Sequence, residues 1–240
     1  MSNLDDQLYD LAVANRILAH EDVVDGYGHV SVRHPGRTDR FLISCSRSPE
    51  LVEVNDLLEM DLDCKPVTST DQPLYTEVPI HGAIYKARPD VNAVIHNHAY
   101  ELIPYSTSKV KLRPILHSAG VIGSDIPVWD IRDRFGETDM LVRKMEQGVD
   151  LAARLGRNDI VLMRGHGCVI TAESLKVAVR AAIYLKVNAR IQTEARGFGA
   201  NVFLSDGEIR AIHDRQAPEG VKRLWEYWAR RCSLPERRRN

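Results

Sequence analysis

Strand-like and helix-like segments alternate along this chain from one end to the other, with no linker between them. Leu8, Leu11, Ala12, Ala14, Ile17 and Leu18 recur at helical spacing over residues 5–22. The turn Gly26-Tyr27-Gly28 leads into a short alternating strand, Val30-Ser31-Val32, and residues 40–44 and 57–62 read as two more strands. After a loop at Asp71-Gln72-Pro73, residues 77–86 look helical, with Ile80, Ile84 and Tyr85 on one side, and Pro89 and Asp90 end that helix. Residues 91–95 form a short β-branched run of the buried-strand type. Residues 140–155 suit a helix with one polar face, and residues 159–163 suit another buried strand. Thr171 can cap a long helix whose face carries Leu175, Ala178, Ala182, Leu185 and Ala189. A final helix carries Leu224, Trp225 and Trp228. This interleaving predicts an α/β fold and a single domain over 1–240, with a helical tail from about residue 208.

At 240 residues the chain can bury roughly 70% of its unfolded surface, so it needs neither disulfides nor a metal merely to fold. Cys45, Cys64, Cys168 and Cys232 are scattered without a CxxC pair, which predicts reduced thiols and a cytoplasmic location. No apolar run approaches the ~18 residues of a membrane span, and the polar, acidic start (Met1 to Asp6) predicts no signal or transit peptide. The balance of 32 Lys+Arg against 33 Asp+Glu leaves no field for nucleic acid or anionic membrane. The basic tail of Arg230, Arg231, Arg237, Arg238 and Arg239 reads as a solvated terminus.

The chemistry lies in three of the nine histidines. His96 and His98 follow the 91–95 run, two positions apart, so a continuing strand would point both imidazoles to one side. His166 follows the 159–163 run and sits between Gly165 and Gly167, which permit sharp turns and close approach of a ligand. One histidine alone more often satisfies a local hydrogen bond. Three at two strand ends suit Zn, Mn, Fe or Co, with an open position left for catalysis. HxH by itself also occurs in amidohydrolases and cupins, and His96-Asn97-His98 spells a nuclease motif. An amidohydrolase barrel needs ~250 residues or more with its HxH near the first strand, and a nuclease needs a basic surface. Glu77, with His81 four residues on, is a candidate fourth ligand or general acid/base, or simply a favourable charge at a helix N-terminus.

Taken in order, the N-terminal helix, Gly26-Tyr27-Gly28-His29-Val30-Ser31-Val32-Arg33, Glu77-Val78-Pro79-Ile80-His81, YKARPDVNAVIHNHA (85–99) and VLMRGHGCVIT (161–171) resemble the class II aldolase/adducin family over about residues 5–200. The resemblance implies an α/β/α sandwich around a mostly antiparallel sheet, assembled as a homotetramer with sites at subunit interfaces. It implies that His96, His98 and His166 bind a divalent metal, Mn2+ or Zn2+ with Fe2+ or Co2+ as further options. Glu77 would ligate that metal or transfer protons.

Departures from the family's sugar-phosphate aldolases bear on substrate. Gly28 is followed by His29 rather than Asn. The phosphate-holding turn is replaced by Ser44-Cys45-Ser46-Arg47-Ser48-Pro49, and Tyr75-Thr76 stands where a Ser pair is common. Arg47 offers a planar fork suited to a carboxylate. GHVSVR and SRSPELV are similar to a branch that decarboxylates hydroxylated aromatic or heteroaromatic dicarboxylates through a metal-stabilised, enolate-like intermediate. That resemblance implies a small anionic substrate, Glu77 as the catalytic proton carrier, and His29, Ser46, Arg47, Thr76 and, more distantly, His117 as substrate-binding residues. The alternatives are an aldolase or epimerase acting on a hydroxy-carbonyl compound and, more remotely, a non-enzymatic adducin-like interaction module.

Overall fold

The computed structural model describes residues 4–215 and 217–236; of the basic tail, Arg237, Arg238 and Arg239 lie outside the described residues. In chain order the elements are α1 (Leu4–His20), β1 (His29–His34), β2 (Arg37–Ser44), β3 (Leu57–Asp61), α2 (Val78–Ala87), β4 (Ala93–Asn97), the short α3 (Ile103–Ser106), β5 (Val128–Trp129), the short α4 (Arg132–Phe135), α5 (Met145–Leu155), β6 (Ile160–Met163), β7 (Gly167–Ala172), α6 (Leu175–Ala195), α7 (Asp206–Asp214) and α8 (Pro218–Ala229).

The strands form one sheet in the order β3-β2-β1-β4-β7-β6-β5. Every pairing is antiparallel except the parallel contact of β5 with β6. Helices cover both faces, giving the three-layer α/β/α sandwich. Alternation along each strand decides which face a side chain joins. Val30 and Val32 of β1 enter the core under α1 and α6, as do Ala93 and Ile95 of β4. Phe41 and Ile43 of β2 and Val94 of β4 enter the opposite core, against α2 and α5. The strand that carries His96 is thus buried on both sides in the middle of the sheet.

Four expectations from sequence need correction. The segment from Gly167 to Ala172 is a strand, not the approach to a helix, and Thr171 lies inside it, its hydroxyl donating to the Asp159 carbonyl at 3.1 Å. The cap of α6 is Ser174, whose Oγ accepts from the Val177 N–H at 3.4 Å. The helix expected from residue 140 begins only at Met145, because the Gln147 side chain accepts from the Arg143 and Lys144 amides and holds that stretch outside the helix. Finally, β4 is shifted two residues toward the C-terminus of its expected span, so His96 is a strand residue and His98 stands just past the strand's end.

Candidate metal centre

His96, His98 and His166 are brought together by the adjacency of β4 and β7. His96 pairs with Val169 of β7 on one side and with His29 of β1 on the other. His166 sits in the two-strand turn from β6 to β7, its amide donating to the Met163 carbonyl at 3.1 Å. Gly165 there has φ +63°, a left-handed conformation that favours glycine. At Gly167 a Cβ would lie 2.0 Å from the Asn97 carbonyl oxygen and 3.1 Å from His98 Cα, so only glycine lets the turn press against the residues carrying the other two imidazoles. Glu77 immediately precedes α2 and is buried, at 6% exposure.

The four side chains offer ligand atoms that all lie within 4.8 Å of one another. His98 Nε2 is 2.9 Å from His96 Nε2 and 3.1 Å from His166 Nε2. Glu77 Oε2 is 3.3 Å from His96 Nε2 and 3.5 Å from His166 Nε2. The other carboxylate oxygen, Oε1, accepts the Val142 N–H at 2.9 Å. His96 Nδ1 lies 3.0 Å from the Cys168 carbonyl, which can only accept, so Nδ1 carries the hydrogen and Nε2 presents a lone pair. That lone pair faces a carboxylate oxygen and another imidazole nitrogen. Such a convergence of acceptors fits a divalent cation, and a ring whose other nitrogen donates to a carbonyl is the usual arrangement of a metal-bound histidine.

Electrostatics agree. Burial penalises the Glu77 charge, but positive charge at His96 and His166, when those rings are protonated, outweighs that penalty and holds the carboxyl below its usual range, as a cation among the same atoms would. Burial, with His96 and His166 nearby, pulls His98 down to about 4, so it is neutral and able to ligate at neutral pH.

In front of the cluster opens a cleft of about 340 Å³ lined by Tyr27, His29, Ser46, Arg47, Tyr75, Thr76, Glu77, His96, His98 and Leu141, among others. The expected substrate-binding residues His29, Ser46, Arg47 and Thr76 all reach it. His117 does not; it lies in a separate cavity beside Arg180, Tyr184 and the residues of α7 and α8. Arg47 is held from two sides, its Nη1 donating to Asp56 Oδ1 at 3.0 Å and its carbonyl accepting the Tyr75 hydroxyl at 2.5 Å. Tyr75 also stacks obliquely on His29 at 4.7 Å between ring centroids. In the sequence Tyr75 stands out only as a departure from a Ser pair. The Val142 amide left no sequence signal at all, since any residue but proline supplies one.

The profile of the Class II Aldolase and Adducin N-terminal domain matches residues 9–193. The chain belongs to this family. Decarboxylase tropJ of Talaromyces stipitatus is 35% identical over 238 residues, covering 89% of this chain and 89% of its own. The 3,4-dihydroxyphthalate decarboxylase of Arthrobacter keyseri is 26% identical over 239 residues, covering 93% and 92%. Among solved structures, an aldolase II superfamily protein from Pseudomonas syringae superposes with a TM-score of 0.79 at 25% identity, over 96% of this chain and 93% of that one. Family and relatives together support a lyase, and no helix among the described residues is long and apolar enough to cross a membrane.

Proposed function

We propose that this chain is a divalent-metal-dependent decarboxylase of a hydroxylated aromatic or heteroaromatic dicarboxylate. The observation that supports it most is the pairing of a three-histidine, one-carboxylate cluster with a cleft rim built from His29, Ser46 and Arg47. The resemblance to decarboxylases over most of the chain's length adds the reaction type.

His96, His98, His166 and Glu77 would hold the metal, which when bound supplies Lewis acidity to an oxygen beside the bond that breaks. Arg47, kept in place by Asp56 and Tyr75, presents a guanidinium edge to the carboxylate that stays on the ring. His29, which lines the same cleft, orients the same group. Decarboxylation breaks the bond from ring to carboxyl, releases CO2 and leaves the ring carbon needing one proton. Glu77 Oε1 is committed to the Val142 amide, so any proton that Glu77 carries moves through Oε2. Since its carboxyl is held ionised, it would act first as a ligand, and the proton for the ring carbon would come from a water held at Oε2. Tyr27 and Tyr75 also line the cleft. We further propose a homotetramer in the cytoplasm, the assembly following from the family and the compartment from four unpaired cysteines; sedimentation velocity tests the assembly.

The deciding experiment measures CO2 release from a panel of ortho-hydroxylated benzene and pyridine dicarboxylates with Mn2+ supplied. Release from a member of the panel, abolished by EDTA, is expected. Metal binding without release from any member would discard decarboxylation in favour of aldol or epimerase chemistry on hydroxy-carbonyl compounds.

A further inference from the structure

Behind His29, away from the cleft, a row of buried polar side chains runs between β1 and α2. His29 and Ser31 are two apart on the strand and face the helix, while His81 and Tyr85 are four apart on the helix and face back. His29 Nδ1 lies 2.6 Å from His81 Nε2, His81 Nδ1 lies 2.6 Å from Ser31 Oγ, and Ser31 Oγ lies 2.8 Å from the Tyr85 hydroxyl. Ser31, His81 and Tyr85 are at most 1% exposed. None of these three touches the cleft, and nothing in the proposed reaction uses them.

Each link in such a row holds one hydrogen between two heavy atoms, and the far end fixes its direction. Among the described residues Ser31 Oγ is the sole side-chain partner of the Tyr85 hydroxyl. A fully buried O–H needs an acceptor, so Tyr85 donates to Ser31. The Ser31 hydrogen then goes to His81 Nδ1. His81 therefore carries its hydrogen on Nε2 and donates it to His29 Nδ1, which leaves His29 with its hydrogen on Nε2. Among the described residues that atom makes no hydrogen bond, and His29 lines the cleft.

We propose that the row Tyr85–Ser31–His81 fixes His29 as the Nε2–H tautomer, so that this ring gives the cleft a hydrogen-bond donor for an anionic substrate oxygen. Ser31, His81 and Tyr85 are positioning residues. That the oxygen belongs to a carboxylate rests on the decarboxylase reading; the tautomer does not. The row does not work as a proton relay. Passing a proton outward would leave Tyr85 as a buried phenolate, and burial pushes that phenol far above its ordinary range. Arg33, whose guanidinium carbon stands 4.7 Å from the Tyr85 ring centroid, offsets only part of this.

The test uses the Zn2+-loaded full chain labelled with 15N-histidine and long-range proton–nitrogen correlation spectra. The His29 ring is assigned by its disappearance in His29→Gln. Wild type is expected to show a protonated Nε2 at His29, and Tyr85→Phe and Ser31→Ala a mixture of the two tautomers. A protonated Nδ1 at His29 in wild type overturns the proposal. Calorimetric binding of phthalate, a dicarboxylate without the ring hydroxyl, gives the second readout. Tyr85→Phe should bind it about tenfold more weakly at unchanged zinc content, the scale of one hydrogen bond to a charged group. His29→Gln, which can donate, should bind it better than His29→Glu, which cannot. Equal binding by those two, or stronger binding by Glu, also overturns the donor role. If the tautomer is as expected but no dicarboxylate releases CO2, the substrate reading falls and the His29 donor stands.

Discussion

Glu77 and Val142 are 65 positions apart, yet the Val142 N–H donates to Glu77 Oε1 at 2.9 Å and so aims Oε2 at the imidazoles of His96 and His166. One oxygen is spent on orientation and the other faces the cluster. Glu77→Gln keeps the shape and can still accept from Val142, but it removes the negative charge. The variant should still fold while activity falls at least about a hundredfold, the span second-layer partners alone reach at metal sites. Steady-state CO2 release together with metal analysis checks this; near-normal turnover in the Gln variant would show that the carboxylate is not part of the machinery.

If the cluster holds a metal, saturation must stabilise the fold by mass action. At a hundred times the dissociation constant that is about 2.7 kcal/mol. For a chain of this length it corresponds to a rise of roughly 5–10 °C in melting temperature. Adding Mn2+ or Zn2+ to EDTA-treated wild type should give such a rise, and His98→Ala or His166→Ala should lose most of it. Differential scanning calorimetry with and without metal decides, and an equal rise in wild type and both variants would place the ion elsewhere.

Acid should destabilise the metal-free protein well before ordinary carboxylates titrate. Burial pulls His81 down to about 3 from its ordinary 6.5. Between those values the unfolded chain binds a proton that the folded chain refuses, so stability is complete above 6.5 and falls as pH falls. From 6.5 to 5 this one residue costs about 2 kcal/mol. His98 shifts in the same direction, and Glu77, whose carboxyl is depressed, adds a loss in the same sense at still lower pH. Urea unfolding at pH 7 and pH 5 should show a larger drop for wild type than for His81→Gln, which cannot take up the proton. Parallel drops would mean that His81 is not held neutral.

Arg47 tests the cleft rather than the cluster. Its side chain is about half exposed and its partner Asp56 keeps a second bond, from the Glu53 amide at 2.7 Å, when the guanidinium is removed. Arg47→Ala should therefore change stability by little, within about 1 kcal/mol. It should raise KM for the dicarboxylate by about tenfold or more, with metal content unchanged, as loss of a charged hydrogen bond predicts. An unaltered KM would remove Arg47 from substrate recognition.

Much of this centre was legible because its chemistry is carried by residues with few other uses. An HxH after an apolar run and a histidine between two glycines stand out in any sequence. What escaped was carried by backbone or by context. β7 is buried on both faces, so it shows no alternation, and its Thr171 looks like a helix cap until Ser174 three residues later is seen to do that work. The stretch before α5 has helix-forming residues, and only the Gln147 side chain, reaching back to two amides, unwinds it. That unwinding frees the Val142 amide for Glu77. The polar row behind His29 was half visible: His29, Ser31 and Arg33 alternate on one face of a strand. Their partners His81 and Tyr85 are identified only once α2 is laid across it. His117, offered for the cleft only distantly by the resemblance, lines a separate cavity with residues of α7 and α8.

Gly167 offers the sharpest test that the cluster depends on the close approach of two strands. The added methyl of Gly167→Ala would meet the Asn97 carbonyl at 2.0 Å, and that oxygen is backbone in the centre of the sheet, unable to rotate away. The strand must shift instead, carrying His166 on one side and His98 on the other. Overpacking of this kind costs about 1–3 kcal/mol. Gly156→Ala is the control. Gly156 has a left-handed φ of +58° and nothing nearer its Cβ than 3.8 Å, so it loses stability through backbone strain, remote from the histidines. Both variants should unfold at lower urea concentration, but only Gly167→Ala should bind metal at least about tenfold more weakly, the effect expected when ligand placement slips. If Gly167→Ala lost stability and kept wild-type metal affinity, the ligand geometry would not be set by the β4–β7 approach, and the glycines beside His166 would be needed for folding alone.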